Sequence, residues 1–434
     1  MNLLNKIRYK SFWLLDSLKG GHLKKDLNGI SKCFQISSFS LLQNQNAPIL
    51  KKLLDTVVNT SEFYNKYKLY KSLDDFPVIN KLTIKENFDT INIVPKNSKD
   101  IVKVSSSGST GIPFQIYWTK MKARRNKADV IFYANSAGYT IGDQLLFVRL
   151  WTKKYRKPIF IKKALNLVQV DIESLTDKNI AAFISKIKSK KYPKSFIGYP
   201  SGFEKICNYL DKVKSPPLDC NIQSIIATSE TLYDNVREKM EYYFKAPVVS
   251  RYSNEENGII SQQMMGDKYY TINWASFYVE IFDINEDKPL KYGELGRVVV
   301  TDLYNLATPM IRYDTGDLGR FCNFENDKIP KLKDVVGRRK DVLYNTKGEI
   351  VSPFIIHTNL YNYPELNQFQ IIQKSKCDYI FKINCKSKFE KEDEFTSIFK
   401  SYLGPDANIL IEYTNEIPLL SSGKRRIIVN LYKP

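Results

Sequence analysis

The alternation of short apolar strands with helices between residues 145 and 250 constrains this fold more than any other feature. The sequence predicts strands at 145–151, 195–198, 222–227 and 248–250, separated by helices at 177–190, 202–212 and 233–244. Strands that alternate with helices of this length form βαβ units, in which the strands run parallel and helices cover the sheet. The chain is therefore predicted to be an α/β protein with a mainly parallel sheet.

The flanking regions have different patterns and predict a division into two domains. Residues 1–75 are predicted to be mostly helical, and the short strands and turns after residue 271 predict a β-rich subdomain. Three strands and one helix beyond residue 342 predict a small α+β unit. We therefore expect a large N-terminal domain over 1–338 and a small, mobile C-terminal domain over 341–434.

Composition excludes several classes of protein. The chain is 43% hydrophobic and 26% charged, as in ordinary globular proteins. Its six cysteines include no C-x-x-C pair, and its two histidines lie far apart, which excludes a multi-histidine metal centre. The formal net charge of +20 would suit a polyanion. Because lysine is spread along the whole chain and no motif supports nucleic-acid binding, we expect no nucleic-acid partner.

The N-terminal residues predict an amphipathic helix. The apolar residues near one face are Leu4, Ile7, Phe12 and Leu15, whereas Lys6 and Lys10 lie elsewhere. Such a helix either packs on its own globular body or contacts an anionic membrane surface. The chain has no run of about 18 uncharged apolar residues and no signal peptide. We therefore expect a cytoplasmic protein, with peripheral contact to the inner face of the membrane as the second arrangement.

The strongest local signal is a loop of small residues, Ser105–Gly111, which lies between predicted strands at Ile101–Val104 and Phe114–Trp118. Glycines let backbone N–H groups face a ligand, and hydroxyls add further donors, so the loop has the construction of a phosphate cradle. It does not match the P-loop consensus.

Charged residues at three further places indicate an anionic ligand. Glu256 follows a predicted strand, where a carboxylate is well placed to hold Mg²⁺ beside phosphates. Asp317 lies at a predicted tight turn between β segments, where a carboxylate can accept two ribose hydroxyls. Lys424 lies in a glycine loop near the C-terminus and is a mobile point charge.

The order of five motifs resembles that of the adenylate-forming (ANL) superfamily, and within it the phenylacetate–coenzyme A ligases and the CapK-type capsule-biosynthesis proteins. The motifs are S-S-G-S-T-G at 106–111, Y-S-N-E-E at 252–256, Y-D-T-G-D at 313–317, G-R-R-K-D at 337–341 and S-G-K-R at 422–425. Residues 142–151 and 197–201 are similar to CapK-type proteins in particular.

The resemblance implies a large adenylation domain, a small C-terminal domain that carries the catalytic lysine, and two half-reactions. A small carboxylic acid first attacks the α-phosphate of MgATP, and a thiol or an amine then displaces AMP. The acceptor would be coenzyme A or a sugar-linked amine, the latter in capsule or surface polysaccharide biosynthesis. The alternative is a non-catalytic relative that binds a nucleotide or a glycan.

The resemblance also implies residue roles. The ATP phosphates would lie on Ser106, Ser107, Gly108, Ser109, Thr110 and Gly111, and adenine on Ser229, Glu230, Thr231 and Tyr252. Asp317 and Arg338 would bind the ribose, and Glu256 would hold Mg²⁺. Lys424 would bridge the substrate carboxylate and ATP, Lys340 would be the hinge, and Gly348 would let a thiol arm pass. The acyl-pocket candidates are Trp151, Tyr199, Ser201 and Arg251, with Arg149 beside them.

Overall fold

The computed structural model describes residues 3–95, 97–106, 114–151, 155–322, 327–338, 342–351, 359, 363, 365–385, 388–418 and 427–432. At Ser106 and Arg338 the description covers the backbone alone. The chain divides into two compact units, one of residues 1–315 and 319–334 and the other of residues 316–318 and 335–434. The predicted boundary at 338–341 includes residues outside this description and stays a prediction.

The predicted helices and strands occur in the predicted order, and the structure adds elements that were not predicted, among them a helix at Ile159–Ala164 and strands at Leu167–Asp171 and Gly258–Gln263. The α-helices are α1 Leu3–Leu18, α2 His22–Cys33, α3 Phe39–Thr60, α4 Lys81–Glu86, α5 Phe88–Ile91, α6 Lys120–Ser136, α7 Ile159–Ala164, α8 Asp177–Lys188, α9 Pro200–Lys212, α10 Asp234–Phe244 and α11 Glu392–Leu403. The strands of the first half are β1 Ile101–Ser106, β2 Phe114–Thr119, β3 Gln144–Arg149, β4 Leu167–Asp171, β5 Lys194–Gly198, β6 Ile222–Thr228, β7 Val248–Asn254 and β8 Gly258–Gln263. The remaining strands are β9 Tyr270–Ile272, β10 Phe277–Phe282, β11 Gly296–Asp302, β12 Tyr313–Phe321, β13 Lys331–Arg338, β14 Leu343–Tyr344, β15 Ile350–Val351, β16 Leu366–Gln373, β17 Asp378–Cys385, β18 Asn408–Tyr413 and β19 Ile428–Asn430.

One large sheet dominates the fold. Among the described residues it has eleven strands in the order β10-β11-β12-β13-β9-β8-β7-β6-β5-β3-β4. The part from β7 to β4 is parallel throughout, whereas β8 and β9 continue the sheet antiparallel. The prediction of an α/β protein with a mainly parallel sheet and a β-rich extension is therefore confirmed.

Helices cover both faces of the parallel part. On one face, side chains of β3, β5, β6 and β7 form a core with residues of α8, α9 and α10. On the other face, Ile226 and Val249 pack against Ala134 of α6. Strands buried on both sides in this way carry continuous apolar runs, as residues 225–227 of β6 show.

The predicted tight turn at Asp317 is wrong. Strand β12 runs from Tyr313 to Phe321 between β11 and β13, and Asp317 lies within it. Gly316 has φ +79°, a conformation that glycine adopts without strain, so the Thr-Gly-Asp sequence distorts the strand instead of ending it.

The second unit contains a four-stranded sheet in the order β18-β17-β16-β19. Helix α11 buries three apolar side chains, Phe395, Phe399 and Leu403. Phe395 and Phe399 lie 5.4 and 4.9 Å from the ring of Phe381 in β17, measured between centroids. The predicted α+β character of this region is therefore confirmed.

Candidate functional site

Most of the predicted site residues that the structure describes lie at the carboxyl edge of the parallel strands. Arg149 ends β3, Tyr199 follows β5, Ser229 follows β6, and Glu256 follows β7 by two residues. Because neighbouring parallel strands end at the same edge, residues distant in sequence are brought together there. This edge is where open α/β sheets bind their ligands.

Glu256 is the most strongly engaged carboxylate of this edge. Its side chain is only 3% exposed, and its Oε1 lies 2.8 Å from Nζ of Lys81. The hydroxyl of Tyr313 donates to the same oxygen at 2.8 Å. A buried carboxylate requires such partners, because burial without them is unfavourable.

Local backbone structure explains how Lys81 reaches Glu256. Ile79 forms a parallel bridge with Tyr313, and its N–H donates to the carbonyl of Arg312 at 3.0 Å. Asn80 then caps α4 by accepting from the N–H groups of Leu82 and Thr83. Lys81 is the first residue of α4, so this bridge and cap place its ammonium group beside Tyr313 and Glu256.

The turn between β7 and β8 holds Glu256 from the other side. The Asn254 side chain accepts from the N–H of Asn257 at 2.7 Å, and Trp118 Nε1 donates to the Glu256 carbonyl at 2.8 Å. Gly258 has φ +98°, and a Cβ there would lie 2.0 Å from Oδ1 of Asn126. The close approach to Asn126 therefore requires glycine at this position.

Tyr252, the predicted adenine-packing residue, is largely buried. Its hydroxyl lies 3.2 Å from Thr315 Oγ1, which itself donates to the carbonyl of Val298 at 2.9 Å. The Tyr252 hydroxyl is therefore the donor to Thr315. Asp314, next to Thr315, lies 3.1 Å from Arg297 and forms an ion pair with it. Asp317 is half-buried in β12.

The segment after β6 contacts the start of α9. Glu230 Oε2 accepts from the N–H of Ser201 at 3.0 Å, in the first turn of the helix. A carboxylate is favourable there because the N-terminal N–H groups of a helix lack partners within it. Ser229 adopts φ +71°, and both it and Thr231 are exposed. The structure thus brings Glu230 and Ser201 together. The resemblance implied that Glu230 binds adenine and that Ser201 lines the acyl pocket.

Arg149 is enclosed by aromatic rings. Its guanidinium carbon lies 4.5 Å from the ring centroid of Tyr155, 5.5 Å from that of Trp151 and 6.0 Å from that of Tyr199. Rings at these distances stabilise a cation through their faces. Within the described part of the chain, Arg149 forms no ion pair, and its hydrogen bond is from Nε to the Leu150 carbonyl at 3.2 Å.

Tyr199 and Trp151 form the inner wall of this aromatic group. Trp151 is 6% exposed, and its Nε1 donates to the Phe147 carbonyl at 3.1 Å. Burial is the main cause of a raised pKa at Tyr199; Arg149 opposes this shift, whereas Glu230 and Glu255 add to it. These interactions show that charges from several strand ends act on Tyr199.

Arg251 has a more enclosed environment than its neighbours. Its side chain is buried and its Nε donates to Gln262 Oε1 at 2.7 Å, whereas Nη2 has no hydrogen-bond partner among the described residues. Burial lowers its pKa to about 10. Its proposed place in the acyl pocket stays a prediction.

Several predicted site residues lie outside the described residues. They are Ser107, Gly108, Ser109, Thr110 and Gly111 of the phosphate loop, the hinge residue Lys340 and the catalytic candidate Lys424. Ser106 ends β1 and Arg338 ends β13, each described by its backbone alone. The structure therefore tests none of the roles implied for these residues.

Sequence reasoning missed Lys81, Tyr313 and Tyr155 as site residues. Lys81 follows an Asn cap, which signals a helix start and nothing about a carboxylate far along the chain. Tyr313 was part of a quoted motif but had no assigned role.

The chemistry of the described residues fits a magnesium ion held by one carboxylate. Glu256 Oε1 is occupied by Lys81 and Tyr313, whereas Oε2 has no hydrogen bond to a described residue. In the described part of the chain, no three His, Cys, Asp or Glu side chains group together as a metal site. Mg²⁺ commonly binds through one or two carboxylates together with substrate phosphates. One free carboxylate oxygen suits that mode of binding.

Comparison with known proteins relates both the whole chain and its C-terminal part to characterised families. Residues 343–431 match the CapK C-terminal domain. Protein CapK of Staphylococcus aureus is 24% identical over 100% of this chain and 97% of its own length. Phenylacetate-coenzyme A ligase of Pseudomonas putida is 26% identical over 39% of each chain.

Solved structures agree on the fold. A crystal structure of 2-hydroxyisobutyryl-CoA ligase in the postadenylation state, in complex with R3-HIB-AMP, superposes with a TM-score of 0.67. The match covers 89% of this chain and 90% of that one at 18% identity. The chain is thus a homologue of CapK and of the phenylacetate–coenzyme A ligases, with the fold of the adenylate-forming superfamily.

Proposed function

We propose that the protein is an ATP-dependent, AMP-forming ligase of a small carboxylic acid. The observation that carries this proposal is the arrangement at the carboxyl edge of the sheet, where buried Glu256 contacts Lys81 and Tyr313. The contact joins a cation to a carboxylate, and the predicted phosphate loop lies between these two residues in the sequence. Such groups suit phosphate chemistry, which depends on alignment and charge neutralisation.

In the first half-reaction, a carboxylate oxygen of the acid would attack the α-phosphorus of ATP. The new oxygen–phosphorus bond forms as the bond to pyrophosphate breaks. Magnesium bound at Glu256 would neutralise phosphate charge. Lys81 is partly exposed and can turn from Glu256 toward an arriving phosphate. Asp317 and Arg338 would hold the ribose, and Lys424 would bridge the two reactants.

In the second half-reaction, a thiol or an amine attacks the acyl carbon and AMP leaves. Coenzyme A is the acceptor that the names of the ligase relatives suggest. Gly348 supports a thiol arm: it has φ +87°, and a Cβ built there would meet no heavy atom of a described residue within 4 Å. An amine on a sugar, with a role in capsule or surface polysaccharide synthesis, is the second acceptor, and Lys340 would be the hinge between half-reactions.

Arg149 narrows the class of acid. A guanidinium among aromatic rings at the strand edge, without a described carboxylate partner, is suited to a second acidic group on the substrate. We therefore expect dicarboxylic or similarly substituted acids to be preferred over monocarboxylic acids of equal size.

The test is ATP–pyrophosphate exchange with a panel of aryl, fatty, hydroxy, amino and dicarboxylic acids. We expect one class to stimulate exchange, and Lys424→Ala to abolish it while ATP binding and the unfolding temperature stay unchanged. Product analysis with coenzyme A and with amino sugars then identifies the acceptor. ATP binding without exchange for any acid would instead support the non-catalytic alternative, and absence of ATP binding would refute the site assignment.

A further inference from the structure

Helix α1 presents its apolar side chains to solvent. The six large aliphatic residues of this helix are between 49% and 75% exposed: Leu3, Leu4, Ile7, Leu14, Leu15 and Leu18. At 3.6 residues per turn, all six fall within about 120° of the helix surface. They therefore form one mainly apolar face, which also includes Ser11 and is here called the α1 face.

The opposite side of α1 is attached to the body through polar and aromatic contacts. The buried residue of α1 is Asn5, whose Nδ2 donates to Asp143 Oδ1 at 2.9 Å. A Cβ on Gly142 would lie 2.5 Å from the Asn5 carbonyl oxygen, so the two backbones approach closely. A surface helix ordinarily buries its apolar stripe. Helix α1 instead leaves its aliphatic residues exposed, while Asn5 and the half-buried rings of Phe12 and Trp13 lie on the attached side.

The apolar surface extends beyond α1. Arg8 Nη2 donates to the carbonyl of Lys163 at 3.3 Å and so joins α1 to α7. In α7, Ile159 and Phe160 are 63% and 68% exposed, and two lysines follow them. Two helices with exposed apolar residues thus lie next to each other.

The charges around the α1 face are basic. Lys6 and Lys10 are exposed on one flank, and Arg8 lies on the other. The acidic residue of α1 is Asp16, whose two oxygens accept from the N–H groups of Leu23 and Lys24 at the start of α2. The whole chain has a formal net charge of +20.

We infer that the α1 face, with Ile159 and Phe160 of α7, docks on an anionic lipid bilayer. An apolar helix face flanked by basic residues lies in the plane of the membrane, with the aliphatic groups below the headgroups and the cations among the lipid phosphates. The described helices include none long and apolar enough to cross a membrane, so contact through α1 would be peripheral. The affinity for the bilayer would then have two contributions. Salt leaves the apolar contribution unchanged and weakens the electrostatic one.

The experiment is flotation of the full-length protein with vesicles of phosphatidylcholine alone or of phosphatidylcholine mixed with phosphatidylglycerol. We expect binding to the mixed vesicles, at least about tenfold weaker binding to the neutral ones, and weakening with salt. Leu4→Gln/Leu14→Gln/Leu18→Gln keeps helix propensity and should lower binding to the mixed vesicles by at least about tenfold. Lys6→Gln/Lys10→Gln should lower it by a smaller factor.

Matched controls separate this surface from general properties of the chain. Leu69 is 94% exposed outside the proposed surface, so Leu69→Gln should bind vesicles as the parent does. Lys186→Gln/Lys188→Gln removes two charges from exposed positions of α8 and should have little effect. Equal binding by the parent and the triple α1 variant would overturn the proposal. So would absence of vesicle binding, including the case in which the triple variant instead dissociates a dimer in solution.

Discussion

The first unit contains two sets of buried charged residues that differ in their access to solvent. The α6 set includes Lys122 and Asp302, and the strand-edge set includes Lys81 and Glu256. Lys122 of α6 and Asp302 of β11 lie 2.7 Å apart, and both side chains are fully buried. Lys81 and Glu256 lie at nearly the same distance, 2.8 Å, but the Lys81 side chain is 37% exposed. The two ion pairs therefore have nearly equal distances but differ in the solvent exposure of their lysine side chains.

The difference separates a structural ion pair from one that can exchange partners. If Lys122 left Asp302, it would leave a buried carboxylate without its cation where water cannot reach it, so the pair is fixed. Lys81 can leave Glu256 because its partly exposed ammonium group can contact solvent or an anionic ligand instead, while Tyr313 still donates to Glu256. The α6 set also includes Arg125, which donates to Ser276 Oγ at 2.9 Å, and Ser276 in turn donates to Asp129 at 2.9 Å. Buried charge alone therefore does not identify a site, and partial exposure at a strand edge is what distinguishes Lys81 from Lys122.

Breaking the fixed pair should have the largest effect. Lys122→Met leaves Asp302 buried without its cation, and we expect the free energy of unfolding to fall by about 3–5 kcal/mol. Urea unfolding measures this loss. The double variant Lys122→Met/Asp302→Asn should recover part of the stability because it removes the unpaired charge.

The matched substitution at the strand edge is Lys81→Met, which should lower the free energy of unfolding by under about 2 kcal/mol because Lys81 is partly solvated. Equal losses for Lys81→Met and Lys122→Met would contradict the distinction between the two sets.

Glu256→Gln should impair activity more than stability. The variant keeps the size of the side chain but removes the charge that contacts Lys81 and that would hold Mg²⁺ in the proposed function, so exchange should fall by about 10²–10³-fold. The neighbouring Glu255 is exposed, which makes Glu255→Gln a control that should retain exchange. ATP–pyrophosphate exchange at saturating substrate measures both. Full exchange by Glu256→Gln would remove this residue from the proposed machinery.

The parallel sheet was predictable because the βαβ pattern is local and repeated. Strand bounds agree closely where apolar runs are bounded by turn residues, as at β18, which spans the predicted Asn408–Tyr413. Strand β4 was missed because Leu167–Asp171 is short and lacks a strong turn signal after it. The error at Asp317 has the opposite cause: local turn chemistry was overridden by neighbouring strands.

The contacts at the site were less predictable than the sheet. The Lys81–Glu256 pair depends on the bridge between Ile79 and Tyr313, which joins distant parts of the sequence. Periodicity likewise shows that α1 is amphipathic, but it does not show which face is attached to the body. That choice depends on the contact of Asn5 with Asp143.

Asp129 should give the α6 set a measurable pH dependence. Burial raises its pKa to about 6 in the folded protein, above its ordinary value of 3.8. Because the folded pKa is the higher one, the stabilising effect of protonation is complete below about pH 4 and is lost as the pH rises to about 6. Asp129→Asn should therefore gain stability relative to the parent over this window, by about 2–3 kcal/mol. Urea unfolding of the parent and of Asp129→Asn at pH 4.5 and at pH 7 measures the change. If the two proteins differed by the same free energy of unfolding at both pH values, the prediction would be refuted.

Arg149→Gln tests a second cation at the strand edge. If the guanidinium binds a second acidic group, its loss should lower kcat/KM for a dicarboxylic acid by about 10- to 100-fold, since hydrogen bonds to charged groups contribute about 1.5–3 kcal/mol. The loss should lie mainly in KM, and kcat/KM for a monocarboxylic acid of the same length should change little. Arg156 lies nearby in sequence, but it is exposed and paired with Asp171, so Arg156→Gln should leave both substrates unaffected. An equal loss for both acids would mean that Arg149 supports the aromatic wall instead of selecting the substrate, and the strand edge would then resemble the α6 set in using its arginine for structure.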